Sequence, residues 1–399
     1  MSLFSETTFA LAFILFLALF LWQRRHKVEV QKWVFPLLYM ILYRMKWGIK
    51  TMDVLAKRYP RLVLWFAYGG VYVGFLGMIL TVGYLGYMLF NVFFMGSTDA
   101  SVAVVQPFVE TDFGSPFFYV PFTYFIVAIF IIATVHEAAH GVVARLFKVK
   151  VKSTGFAFFS VLVPIIPAAF VEPDDKQVKK ISPMKQLGIY AAGPFSNLLL
   201  ALLVFIIMLA VTPGLNSVTS EHVVISDYVS GDDMYPAELA GVGVGERIRA
   251  IDDVAMGSVQ DFVTFMGGTA AGQQIVLHTN ASSYDIVLAE SPGSETGYLG
   301  VMVRPLTEYD DAFKATYGWL IPPMEWMLGL MLLLFIFNIG VALINLAPIG
   351  PLDGGRMLLT VLLTRFPEKK ALTIWGKVSL LTLLLLLANI FLPWILRAF

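Results

Sequence analysis

Three residues near the middle of the chain, His136, Glu137 and His140, have the types and spacing of a metal centre. On a helix, residues four apart lie one above the other, so the two imidazoles share a face and Glu137 sits beside the first. This is the H-E-x-x-H pattern, in which two histidines bind zinc, a third ligand completes the protein's share, and the glutamate takes a proton from water. By composition alone, a chain with five histidines produces it by chance about once in several hundred sequences. The alternative is a buried polar network between helices, which is costly where the surroundings are hydrocarbon. Here they are: the motif ends an apolar stretch running from Phe117 to Arg145.

A third ligand has to come from elsewhere. Far downstream, the segment from Asn345 to Arg356 reads N-L-A-P-I-G-P-L-D-G-G-R, and its prolines and glycines break a helix. Asp353 sits on that broken or restarting backbone, which makes it the best third zinc ligand. Alone, it would read as a helix N-cap. Asn197, in an apolar run with Gly193 and Pro194, needs a partner at membrane depth. Interhelical packing and a substrate or water contact are both open to it. Asn345 is the second candidate substrate contact.

The elements that position these residues belong to a membrane. The chain has 399 residues, 58% of them hydrophobic and 14% charged, and a mean hydropathy of +0.76, outside the range of soluble domains. Net charge is zero, so nothing points to a nucleic-acid partner. Cysteine is absent, which excludes disulfides and thiolate ligands, so any metal must use His, Asp or Glu.

About six transmembrane helices are expected. The first covers Phe9 to Trp22 and reads as an anchor, because its charges follow the apolar run and no small-residue cleavage site is present. Residues 23–61 then hold ten Lys and Arg against Glu29 and Asp53, which places them in the cytoplasm. Within them, Trp33 to Tyr43 suggests a helix lying in the interface, although a buried or re-entrant piece would look the same. The second helix runs from Leu62 to Met95. Residues 96–116, with Asp99, Glu110 and Asp112, fit the outer side. The third starts at Phe117 and runs inward to Arg145, which puts His136 about nine residues, roughly 13 Å, from its cytoplasmic end.

Gly155 to Val171 is too short for a helical span and is broken by Pro164 and Pro167, so it should dip into the membrane and return as a re-entrant hairpin. A fourth helix covers Leu187 to Val211, a fifth Glu325 to Leu346 and a sixth Val378 to Leu396. Between the fourth and fifth lies a soluble insert with fifteen acidic residues from Glu221 to Asp311, which fits the outer side. Its alternation of short strands with helices near 236–240 and 259–266 predicts a small α+β unit. Four regions follow: N-terminal helices and cytoplasmic segment (1–116), catalytic core (117–211), soluble domain (212–323) and a C-terminal pair of helices (324–399).

These motifs, in this order, resemble the site-2 protease family of intramembrane zinc metalloproteases over residues from about 120 to 365. His136-Glu137-Ala138-Ala139-His140 is similar to the family's H-E-x-x-H, and Asn345 to Gly355 to its N-x-x-P-x-x-P-L-D-G-G segment. Ala168 to Glu172, Ile181-Ser182-Pro183 and Ala192 to Asn197 resemble its hairpin and middle core helix. Ala237 to Ile248 resembles part of its PDZ domain, with Glu246 where Asp is more usual. Tyr298-Leu299-Gly300-Val301 could be the backbone loop that captures a carboxylate.

The resemblance implies Zn²⁺ held by His136, His140 and Asp353, with Glu137 as the catalytic base. It also implies a transmembrane substrate, often trimmed first by another protease, cut inside the bilayer on its cytoplasmic side, with the PDZ-like domain outside. A substrate helix must unwind to be cut, and residues 153–171 are expected to offer the opened segment an edge strand. Two other classes compete. A proton-coupled transporter would show inverted repeats, and no internal symmetry is visible. A non-catalytic scaffold would have lost chemical residues, and all four are present.

Overall fold

The computed structural model describes residues 3–34, 38–96, 102–107, 116–161, 163–229, 235–291 and 295–397. Two compact units emerge: Met1–Ile207 together with Trp326–Phe399, and Met208–Glu325. Among the described residues, six helices are long and apolar enough to cross a membrane. The protein is an integral, multi-pass membrane protein.

The first unit opens with helix α1 (Leu3–Gln23), followed by strands β1 (Val28–Val34) and β2 (Leu38–Met45), which pair antiparallel. This corrects the interfacial helix expected over Trp33 to Tyr43. Val28 and Val30 alternate with Glu29 and Gln31, a period of two. Helices α2 (Ile49–Arg58) and α3 (Pro60–Phe94) follow. Two short parallel strands, β3 (Val104–Gln106) and β4 (Phe117–Tyr119), then precede α4 (Phe122–Leu146). The third helix thus begins five residues later than expected, because Pro121 sets its start and Phe117–Tyr119 pairs as a strand instead. Asp99, Glu110 and Asp112, on which the outer placement of residues 96–116 rests, lie outside the described residues.

Glu6 supplies a cap that α4 lacks locally. Its buried carboxylate accepts from the Thr123 amide at 3.0 Å and from Thr123 Oγ1 at 3.0 Å. An anion at that end also suits the helix dipole.

Strands β5 (Val151–Val161) and β6 (Val163–Pro173) pair as an antiparallel hairpin and extend the first one into a four-stranded antiparallel sheet, ordered β1-β2-β5-β6. Of the stretch expected to offer an edge, β5 is flanked on both sides, so only β6 has a side that pairs with no other described strand. Arg44 on β2 knits all four strands: it donates to Glu29 on β1 at 2.9 Å, to Ser153 on β5 at 2.8 Å, and to Glu172 on β6. After the short α5 (Asp175–Val178) comes α6 (Pro183–Asn216). A core of Val63, Ala67, Val143, Ala144, Ile189 and Ala192 packs α3, α4 and α6 together.

In the second unit, β7 (Thr219–Tyr228) and α7 (Pro236–Leu239) lead to β8 (Arg247–Ile251), β9 (Val254–Ala255) and α8 (Val259–Gly267). Next come β10 (Gln274–Thr279), β11 (Ser283–Val287), β12 (Ala289–Glu290), β13 (Gly297–Tyr298), β14 (Val301–Tyr309) and α9 (Asp311–Tyr317). The main sheet runs β11-β10-β8-β7-β14. Its inward side chains, including Ile225, Ile248, Ile251, Ile275 and Leu277, make a core against Phe262 of α8.

The chain returns to the first unit through α10 (Ile321–Leu346), α11 (Asp353–Arg365) and α12 (Glu368–Arg397). The turn between α10 and α11 is folded hard onto the start of α11. A Cβ on Gly354 would lie 2.1 Å from the Leu346 carbonyl oxygen, and one on Gly355 2.2 Å from that of Ile349, so no side chain fits at either position. Trp375 of α12 donates to the Gly355 carbonyl at 2.8 Å and fixes the turn from behind.

Candidate active site

Helix α4 brings His136 and His140 onto one buried face, and the turn before α11 delivers Asp353 to the same point. Asp353 is the first residue of α11, with Leu352 in the cap position, and its carboxylate turns to the imidazoles. Asp353 Oδ2 lies 3.2 Å from His136 Nε2 and 3.3 Å from His140 Nε2, and the two Nε2 atoms are 3.2 Å apart. All three residues are less than 10% exposed.

That triangle fits a metal. Bonds of about 2.0–2.1 Å in a tetrahedron put ligand atoms about 3.3 Å apart, the separation seen on every edge. Both rings must then offer a lone pair from Nε2, so each Nδ1 must carry the proton and find an acceptor. His140 Nδ1 donates to the Ile189 carbonyl at 2.6 Å. For His136 the neighbour is Asn197, whose amide lies 3.1 Å from Nδ1 and whose Oδ1 otherwise has no partner. With the amide turned so that Oδ1 accepts from Nδ1, His136 presents the same tautomer as His140.

Gly193 leaves the space for this arrangement. A Cβ there would lie 2.3 Å from His140 Nε2 and 2.5 Å from His136 Nε2, so the backbone of α6 forms one wall of the site. Pro194 follows at once and removes the helical N–H that would bond the Tyr190 carbonyl.

Glu137 is half-buried, and its Oε2 accepts from the Val171 amide of β6 at 2.9 Å. The hairpin is thereby tied to the catalytic helix. The same helix is anchored from its far side, where Arg145 pairs with Asp53 of α2.

Of the six residues singled out from the sequence, His136, His140 and Asp353 are brought together, and Glu137 adjoins them. Asn197 is fully buried behind His136, where it holds a ring and has no surface to offer a substrate. Asn345 lies in the last turn of α10 and donates back to the Val341 carbonyl at 3.0 Å. Three contributors escaped the sequence reading: the Ile189 carbonyl, the Val171 amide and Gly193. The first two are backbone groups that no side chain announces, whereas Gly193 had a signal in the Gly-Pro pair.

The family model for peptidase family M50 matches residues 124–386, about two thirds of the chain, and takes in all four chemical residues. The chain belongs to peptidase family M50. Its resemblance to site-2 proteases and this match agree. An uncharacterised protein of Methanocaldococcus jannaschii is 27% identical over 322 residues, covering 78% of this chain and 75% of that protein. A Lactococcus lactis protein provisionally named a zinc metalloprotease is 24% identical over 228 residues, 48% of this chain and 52% of its own length. Among solved structures, the PDZ domain of an SdrC-like protein from Listeria monocytogenes aligns with 20% of this chain and 85% of its own. The identity is 21% and the TM-score 0.19, too low to argue from.

Proposed function

We propose that this member of family M50 is a zinc endopeptidase that hydrolyses peptide bonds inside the transmembrane segments of other membrane proteins. The observation that carries the reading is the buried His136, His140 and Asp353 triangle, with edges of 3.2 to 3.3 Å, both histidines standing on a helix long enough to cross a membrane. When bound, zinc supplies Lewis acidity, polarising a carbonyl and lowering the pKa of water from 15.7 to about 7.

The chain's own residues do the rest. Glu137 accepts the proton of the attacking water as its oxygen bonds to the carbonyl carbon. It then delivers that proton to the leaving amine nitrogen as the C–N bond breaks. Val171 holds one oxygen of that carboxylate, so its orientation is set before substrate arrives. Asn197 and the Ile189 carbonyl keep the two rings aimed.

A transmembrane helix hides its carbonyls in its own hydrogen bonds, so the substrate must open locally. The side of β6 that pairs with no described strand, adjoining Glu137, supports strand addition as the way the opened segment is held. The basic residues of 23–61 and those after Arg145 support a cytoplasmic placement of the site's end of the bundle. The stretch from Ala237 to Ile248 and the acidic insert support an extracytoplasmic PDZ-like domain, one role of which is to exclude substrates still carrying bulky outer domains. That role requires a partner protease to trim the substrate first.

Purified full-length protein with a transmembrane peptide in detergent micelles tests the reading. Cleavage inside the apolar segment by wild type, lost by about 10²- to 10⁴-fold in Glu137→Gln, is expected. Cleavage only at flanking soluble sequence, or undiminished cleavage by Glu137→Gln, would contradict it.

A further inference from the structure

We infer that the substrate-binding edge of β6 is centred on one residue, Ala169, whose backbone N–H is the single donor that the strand can offer between residues 167 and 173. The inference rests on the peptidase reading above and names which atoms hold the opened substrate segment.

In an antiparallel hairpin, alternate residues turn their N–H and C=O groups towards the partner strand and away from it. On β6 the parity is fixed by three observations. The Val171 amide donates to Glu137, which lies off the hairpin, so residue 171 faces outward. The Asp174 amide donates to the Lys150 carbonyl at 2.8 Å, so the even-numbered parity faces β5. Pro167 has no N–H to give, and a proline is tolerated in a strand where that N–H would point away from the ladder. The register with β5 is unbroken from Thr154↔Val171 to Phe159↔Ile166, so this alternation holds across the stretch.

The outward positions are therefore 167, 169, 171 and 173. Residues 167 and 173 are proline, and the donor of Val171 is taken by Glu137. Ala169 remains, half-buried, two residues from the group that holds the catalytic carboxylate. A segment paired with Ala169 lies beside Glu137 and hence beside the metal triangle, which commits this edge to the substrate. One substrate residue exchanges hydrogen bonds with Ala169. Its neighbours meet only the carbonyls of Pro167 and Val171, so the ladder is too short to demand more than local unwinding of the substrate helix.

Ala169→Pro removes the donor while leaving every bond to β5 in place, as Pro167 already does two residues away. Cleavage of the transmembrane peptide is measured together with zinc content. Ala169→Pro is expected to keep its zinc and lose on the order of 10-fold in kcat/KM, and Ala169→Ser, which keeps the N–H, is expected to lose less than Ala169→Pro. An Ala169→Pro protein with full zinc and undiminished kcat/KM overturns the inference and leaves the peptidase reading standing. A wild type that cleaves nothing overturns both. Should Ala169→Pro lose its zinc through misfolding, replacing one peptide carbonyl of the substrate at a time by a methylene group decides the matter on the unaltered enzyme. One sharply sensitive carbonyl besides that of the scissile bond is expected, and uniform tolerance at all the others overturns the inference.

Discussion

Gly193→Ala adds a single methyl group, and the structure says where it must go. The new carbon would stand 2.3 Å from His140 Nε2 and 2.5 Å from His136 Nε2, whereas ordinary contact begins at 3.4 Å. Each ring is thus asked to retreat by about 1 Å. Metal sites tolerate ligand displacements of about 0.2 Å, so the retreat is several times what zinc accepts. Removing an outer partner of a ligand costs 10- to 100-fold in affinity, and moving both rings should cost at least 100-fold. The fold should suffer less, by about 1–3 kcal/mol, the usual cost of overpacking. Zinc affinity is read by chelator competition on full-length protein, and the fold by thermal unfolding in the same detergent. Wild-type zinc affinity in a folded Gly193→Ala protein would refute the reasoning, because it would mean that Gly193 does not wall the metal site.

Asn197→Leu removes the acceptor that sets the His136 tautomer, and zinc affinity should fall about 10- to 100-fold with little change in melting temperature, again by chelator competition. Glu6→Ala takes away both bonds to Thr123 at the start of α4 and should destabilise the protein by about 1 kcal/mol, within the range for lost helix caps, as a lowered unfolding midpoint. Burial pushes the Glu246 carboxyl up, but bonds from Thr279, Gly243 and Tyr284 outweigh it and hold the group below its ordinary 4.5. Its folded-state pKa is depressed, so its stabilisation is present above about pH 4.5 and lost as pH falls through the lower folded value. The protection of the Gly243 amide from exchange, relative to its intrinsic rate at each pH, should fall over that acidic window in the full chain, and in Glu246→Gln this pH dependence should flatten.

How far the fold could be read in advance depended on what each residue advertises. The spanning helices announce themselves through length and apolarity, yet apolarity alone ran the third helix back over Phe117–Tyr119, where Pro121 marks the true start. At Trp33 to Tyr43, aromatic and basic content suggested an interfacial helix, while the alternation of Val28 and Val30 with polar neighbours carried the strand that forms. Asp353 could be found because prolines and glycines break the chain around it, and because two histidines lacked a third partner. Asn197 was legible as a group in need of a bond, but not as the group behind His136. Backbone donors and acceptors such as the Val171 amide and the Ile189 carbonyl leave no mark on residue type, since only the register of a strand or the placement of a helix aims them.

The zinc-peptidase mechanism is tested most directly by one measurement: zinc per chain in purified wild type, Glu137→Gln and Asp353→Ala, with cleavage of the transmembrane peptide followed in the same samples. It predicts about one zinc and cleavage for wild type, one zinc and no cleavage for Glu137→Gln, and neither for Asp353→Ala. A wild type that cleaves without metal, or an Asp353→Ala protein that holds zinc as tightly as wild type, would contradict it.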